Sequence, residues 1–110
     1  MWRMTTFSPQ SSKIRLQKMP AWTELRVKLQ HEMESGHRKD ATGKTIGTWH
    51  ITRCTIWLNQ QIIWRGNFGG GVAKNPFIEL RLALLNAGDQ ITVEWIDTQG
   101  KTQRDSVSAA

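Results

Sequence analysis

Short runs in which apolar and polar residues alternate strictly recur along most of this chain, and they leave few folds open. From residue 24 onward, Leu25, Val27 and Leu29 fall on one side while Glu24, Arg26, Lys28 and Gln30 fall on the other. That is the period of a half-buried β-strand; a helix would scatter the apolar residues around its circumference. Thr52, Cys54, Ile56 and Leu58, interleaved with Arg53, Thr55, Trp57 and Asn59, predict a second strand. Ile91, Val93 and Trp95 against Thr92 and Glu94 predict another. Residues 77–84 alternate through Ile78, Leu80, Leu82 and Leu84, although their Ala, Leu, Glu and Arg content also suits a helix. Shorter runs around Ile14 and Leu16, at Ile62-Ile63-Trp64 and over residues 104–108 complete the series. Asn59-Gln60-Gln61, Asn86-Ala87-Gly88-Asp89 and Asp97-Thr98-Gln99-Gly100 have turn composition and separate neighbouring runs. The expected architecture is an all-β antiparallel sandwich of about seven strands.

A chain of 110 residues makes one domain of ordinary size. Residues 1–12 mix Ser, Thr, Gln and Pro without periodicity and are expected to form a flexible arm, with the domain spanning 13–110. Cys54 is the single cysteine, so neither an intramolecular disulfide nor a multi-cysteine metal knot is open to the chain. No early apolar run resembles a signal peptide, and no later stretch approaches the length of a membrane-spanning helix. The formal charge of +6 favours an anionic partner, yet basic residues such as Arg3, Lys28, Arg53, Lys74 and Arg104 are dispersed rather than clustered. Of the anionic partners such a charge suits, nucleic acid, anionic lipid or an acidic protein surface, dispersal argues against the first.

Two connecting segments are chemically specific. The first runs His31-Glu32-Met33-Glu34-Ser35-Gly36-His37-Arg38-Lys39-Asp40 and on through Thr42-Gly43-Lys44 to Ile46-Gly47. The second is Asn67-Phe68-Gly69-Gly70-Gly71-Val72-Ala73-Lys74-Asn75-Pro76-Phe77. Together with Gly88-Asp89 and Trp95-Ile96-Asp97, these residues resemble the SoxZ family of the bacterial sulfur-oxidation carrier complex, in order and spacing, from about Leu25 to Val107. The Gly69-Gly70-Gly71 run and the Asn59-Gln60 turn depart from the family's pattern.

The resemblance implies an immunoglobulin-like sandwich that pairs with SoxY as a heterodimer. SoxY's C-terminal Gly-Gly-Cys-Gly-Gly arm carries sulfur intermediates of thiosulfate oxidation between enzymes, which would touch the complex transiently. It further implies a subunit with no catalytic residue and no cofactor, located in the periplasm and exported together with a signal-bearing partner. The residues expected to face that partner are His31, Met33, Glu34, Ser35, Gly36, Arg38, Lys39, Asn67, Lys74, Asn75, Pro76 and Phe77. Arg38, Lys39 and Lys74 would attract anionic sulfur adducts.

Rival chemistries are weaker on the residues themselves. His31, Met33, His37, His50 and Cys54 are soft and borderline ligands of the kind that hold copper or iron, but their spacing matches no metal motif. Cys54 shares its phase with Ile56 and Leu58 and reads as a buried thiol, and His31 continues the inward phase of Leu29 and reads as a buried hydrogen-bonding group at a strand end. Gly69-Gly70-Gly71 lacks the Gly-Lys-Ser/Thr of a phosphate loop. Trp57 and Trp64 fall on or near outward phases, where they suit a protein interface or, as a rival, stacking on single-stranded nucleic acid.

Overall fold

A computed structural model describes residues 12–110, together with the backbone pairing of residues 2–5. Among the described residues there are eight strands: β1 (Trp2–Thr5), β2 (Lys13–Lys18), β3 (Thr23–Lys28), β4 (Ile51–Leu58), β5 (Gln61–Asn67), β6 (Phe77–Leu82), β7 (Gln90–Asp97) and β8 (Thr102–Ser108). They form two four-stranded sheets, ordered β1-β2-β3-β6 and β5-β4-β7-β8, with every pairing antiparallel. The all-β sandwich is therefore as expected, and the seven runs of alternating residues are β2 to β8. Strand β1 is additional, pairing Trp2 with Gln17 and Thr5 with Ile14. The rest of the expected flexible arm lies outside the described residues, except Ser12, whose N–H donates to buried Asp105 at 2.8 Å.

The core fills the space between the sheets. Ile14, Leu16, Leu25, Val27 and Ile78 come from one sheet, and Cys54, Ile56, Ile91, Val93, Trp95 and Val107 from the other. Each fully buried Leu or Ile contributes about 1.5–3 kcal/mol relative to exposure, so this alternating set supplies most of the drive to fold. The helix-friendly segment is β6, which ends at Leu82; Leu84 is 45% exposed and lies beyond it.

Strand β4 departs from simple alternation. Its pairing with β7 shifts register between Ile51 and Arg53, and its pairing with β5 shifts between Ile56 and Trp57. A bulge inserts one unpaired residue and reverses the phase beyond it. Ile51 is consequently buried, while Thr52, expected on the inward face, is only half-buried and its hydroxyl donates to the Ile96 carbonyl at 3.1 Å. The β4–β5 hairpin closes tightly without glycine because Asn59 itself takes a positive φ of 55°.

Candidate functional site

The inward phase of β3 runs past its end to His31, and the inward phase of β7 runs to Asp97. There the two meet: His31 Nε2 lies 3.0 Å from Asp97 Oδ2, with both side chains sealed from solvent. His31 Nδ1 accepts from the Met33 N–H at 3.0 Å, so Nε2 carries the proton and donates to Asp97. Trp49 Nε1–H donates to the same carboxylate oxygen at 2.9 Å. The other oxygen accepts from the Gln99 and Lys101 N–H groups, each at 2.9 Å. Burial pushes the Asp97 carboxyl up, but these hydrogen bonds outweigh it and hold the group below the usual carboxylate range. The rings of Trp49 and Trp95 close around His31, at centroid distances of 4.8 and 5.1 Å.

From this hub the first connecting segment leaves as an ordered excursion. Met33 adopts a positive φ of 53°, which turns its sulfur toward the Ile51 N–H at 3.3 Å. Glu34 and Trp49 exchange both backbone hydrogen bonds, and the segment continues as a narrow ladder through Lys39 opposite Thr45. Asp40 closes the tip. Its carboxylate accepts from the Thr42 hydroxyl, the Thr42 N–H and the Lys44 N–H, contacts that lower its pKa, chiefly through the Thr42 hydroxyl. Arg38 forks onto the Glu34 carboxylate, and that hydrogen bond is the main reason the Glu34 carboxyl sits below its ordinary range. Gly36 has a φ of +89°, and a Cβ there would stand 2.6 Å from Thr48 Oγ1. Only glycine satisfies both conditions without strain.

The second segment is tied to the first. Asn75, at a φ of 54°, donates its N–H to the His31 carbonyl at 3.0 Å and accepts the His31 N–H on Oδ1 at 3.0 Å. Leu29 donates to the Pro76 carbonyl at 2.8 Å, and Lys74 Nζ reaches Glu32 Oε2 at 3.2 Å. Gly70 presses against Ser35: a Cβ built on it would lie 3.4 Å from the Ser35 Cα. Phe68 and Val72 pack on the core, so this glycine-rich run is anchored at both flanks.

Both segments therefore occupy one end of the sandwich, where the turn after Asp97 joins them. His31, Met33, Glu34 and Pro76 are buried and support the surface from beneath. Ser35, Gly36 and Asn75 are half-buried, while Arg38, Lys39, Asn67, Lys74 and Phe77 are exposed. Two open hollows share Glu32 and Lys74 as a common wall: one of about 290 Å³ floored by His31, Trp49 and Trp95, and one of about 400 Å³ beside Met33, Ser35 and Arg38. Asp97 and Trp49 were not foreseen as members of this end. The signal was present for Asp97, because it extends the inward series Ile91, Val93, Trp95 by one more alternate position.

The His31–Asp97 pair has the form of a base and its orienting acid, but both ring nitrogens are engaged and the ring is inaccessible, so it acts as a brace. Cys54 lies in the core, where burial pushes its thiol up to about 12, far from the thiolate that nucleophilic chemistry needs. Among the described residues no group of three His, Cys, Asp or Glu side chains is placed to hold a metal ion. The tryptophans assigned to an outward surface are occupied: Arg104 sits 4.8 Å above the Trp57 ring, and Trp64 packs against the core.

A solved structure of a hypothetical protein from Pyrococcus horikoshii OT3 superposes with a TM-score of 0.64 at 10% identity, covering 91% of this chain and 88% of that one. That likeness concerns the fold. No curated protein matches the sequence. The family model described as sulphur oxidation protein SoxZ matches residues 14–108, which include every strand from β3 to β8, most of β2 and both tethered segments. The chain belongs to the SoxZ family of sulfur-oxidation proteins.

Proposed function

We propose that this protein is the non-catalytic subunit of a heterodimeric sulfur-carrier complex, binding a SoxY-like subunit and helping to shield and position its cysteine-bearing arm. The observation that carries this reading is the reciprocal hydrogen bonding of His31 with Asn75, which locks two connecting segments into one preformed surface. A surface held rigid in the free subunit loses little entropy on binding. It presents Lys39, with Arg38 and Lys74 partly offset by Glu34 and Glu32, beside open hollows, and the His31–Asp97 pair is closed to substrate. Such a surface suits guarding an anionic adduct on another chain. In this reading the subunit works in the periplasm, carried there by its partner, and meets sulfur-oxidation enzymes only through the complex.

The decisive experiment mixes the purified chain with the SoxY-like subunit at micromolar concentration and follows the mixture by size-exclusion chromatography with light scattering. A stable one-to-one complex is expected. Two independent peaks at every mixing ratio would remove the proposal.

A further inference from the structure

The outer face of the β1-β2-β3-β6 sheet carries a local conflict. Register sets Lys13 directly opposite Lys28, and Arg15 directly opposite Arg26. Like charges facing each other across an antiparallel pair destabilise it, and here two such pairs follow in succession. Phe77 continues the first row, opposite Lys28, and is 59% exposed, more than Ile62 or Leu84. Lys13, Arg15, Arg26, Lys28 and Phe77 line an open hollow of about 450 Å³. Glu24 and Glu79 both engage Arg26, but no ion pair among the described residues involves Lys13 or Lys28. The opposite sheet shows the contrast. There Arg104 caps Trp57 and bonds Glu94 at 3.2 Å, and Arg65 Nε donates to Thr55 at 3.3 Å. On that face Arg104 has a carboxylate partner; Lys13 and Lys28 have none among the described residues.

We infer that this row is the docking face for the partner subunit, and that the partner meets it with carboxylates for Lys13 and Lys28 around an apolar side chain that covers Phe77. The inference rests on the heterodimer reading above and adds to it the face and the chemistry of the partner. Charge selects the occupant. A second copy of this chain, itself at +6, would set cations against cations. A nucleic-acid strand needs cations spaced along its backbone, whereas Glu24 and Glu79, both bonded to Arg26, set carboxylates beside this row. Phe77 also follows Asn75 and Pro76 directly, and Lys28 leads through Leu29 to His31, so the row is continuous with the tethered surface.

Lys28→Glu provides a test in which stability and binding move in opposite directions. In the free protein the substitution replaces a like-charge pair with an opposite-charge pair, so the thermal midpoint rises. For the partner subunit, titrated by calorimetry at low and high salt, affinity falls on the order of tenfold or more and its salt dependence shrinks. Phe77→Ala lowers the affinity by on the order of tenfold, while Arg104→Ala on the opposite face leaves it unchanged. If the complex forms but neither Lys28→Glu nor Phe77→Ala weakens it, the docking face is wrong and the heterodimer stands. If the wild-type chain forms no complex, both fall. Tight, salt-sensitive binding of an oligonucleotide that Lys28→Glu abolishes would reassign the face to nucleic acid and overturn the inference.

Discussion

Replacing Asp97 by Asn should cost more stability than its isosteric shape suggests. The carboxylate accepts four hydrogen bonds, two on each oxygen, from His31 and Trp49 on one and from Gln99 and Lys101 on the other. An amide has a single oxygen, so in either orientation its NH₂ faces two donors. His31 cannot adapt by changing tautomer, because a proton on Nδ1 would confront the Met33 N–H. The less costly orientation keeps His31 and Trp49 satisfied and strands the part-buried Gln99 and Lys101 N–H groups, so at about 1–3 kcal/mol for each buried donor the loss lies toward the lower end of about 2–6 kcal/mol. A domain of this size holds roughly 5–15 kcal/mol in total, and the thermal midpoint should fall by at least ~10 °C. Urea and thermal unfolding at neutral pH, followed by tryptophan fluorescence and circular dichroism, measure the loss. An acid titration supplies a second arm. Since the folded carboxyl lies below the unfolded value of about 3.9, its contribution is present above that pH and is lost as pH falls through the folded value. The gap between wild type and Asp97→Asn should therefore narrow in acid. A loss under about 1 kcal/mol, or a gap that stays constant into acid, would refute the hub as the brace of this end.

Cys54 should resist alkylation by iodoacetamide at mildly alkaline pH in the native protein and react fully in denaturant, since burial raises its thiol to about 12; rapid labelling of the folded chain would contradict that placement. Gly36→Ala should lower the urea midpoint by an amount equivalent to roughly 1–3 kcal/mol, the usual cost of a strained backbone position, with the Thr48 contact adding to it. An unchanged midpoint would show that the first segment tolerates rearrangement.

Alternation alone carried the strands. Leu25, Val27 and Leu29, or Ile91, Val93 and Trp95, can be buried together only on an extended backbone, so the sequence placed β3 and β7 without reference to anything distant. The same logic placed His31 inside and Cys54 in the core. It misplaced Thr52 and Leu84. A bulge is decided by the partner strands, here β5 and β7, and the end of β6 by where β3 ceases to pair with it. The cover over Trp57 escaped the sequence for a related reason: alternation assigns a side of the sheet but does not reveal that Arg104 from β8, two strands away, lies over the ring.

The site divides along the same line. The residue types that make its surface, the Arg38–Lys39 pair, the glycines and the Lys74-Asn75-Pro76-Phe77 run, were legible in the chain, because unusual residues in connecting segments stand out against strand periodicity. That His31 and Asp97, sixty-six positions apart, would share a buried proton was not legible. Nor was the like-charge opposition of Lys13 and Lys28. Each depends on strand register and on the spacing between the two sheets, quantities set by the joint packing of all the inward side chains and by no local stretch of sequence.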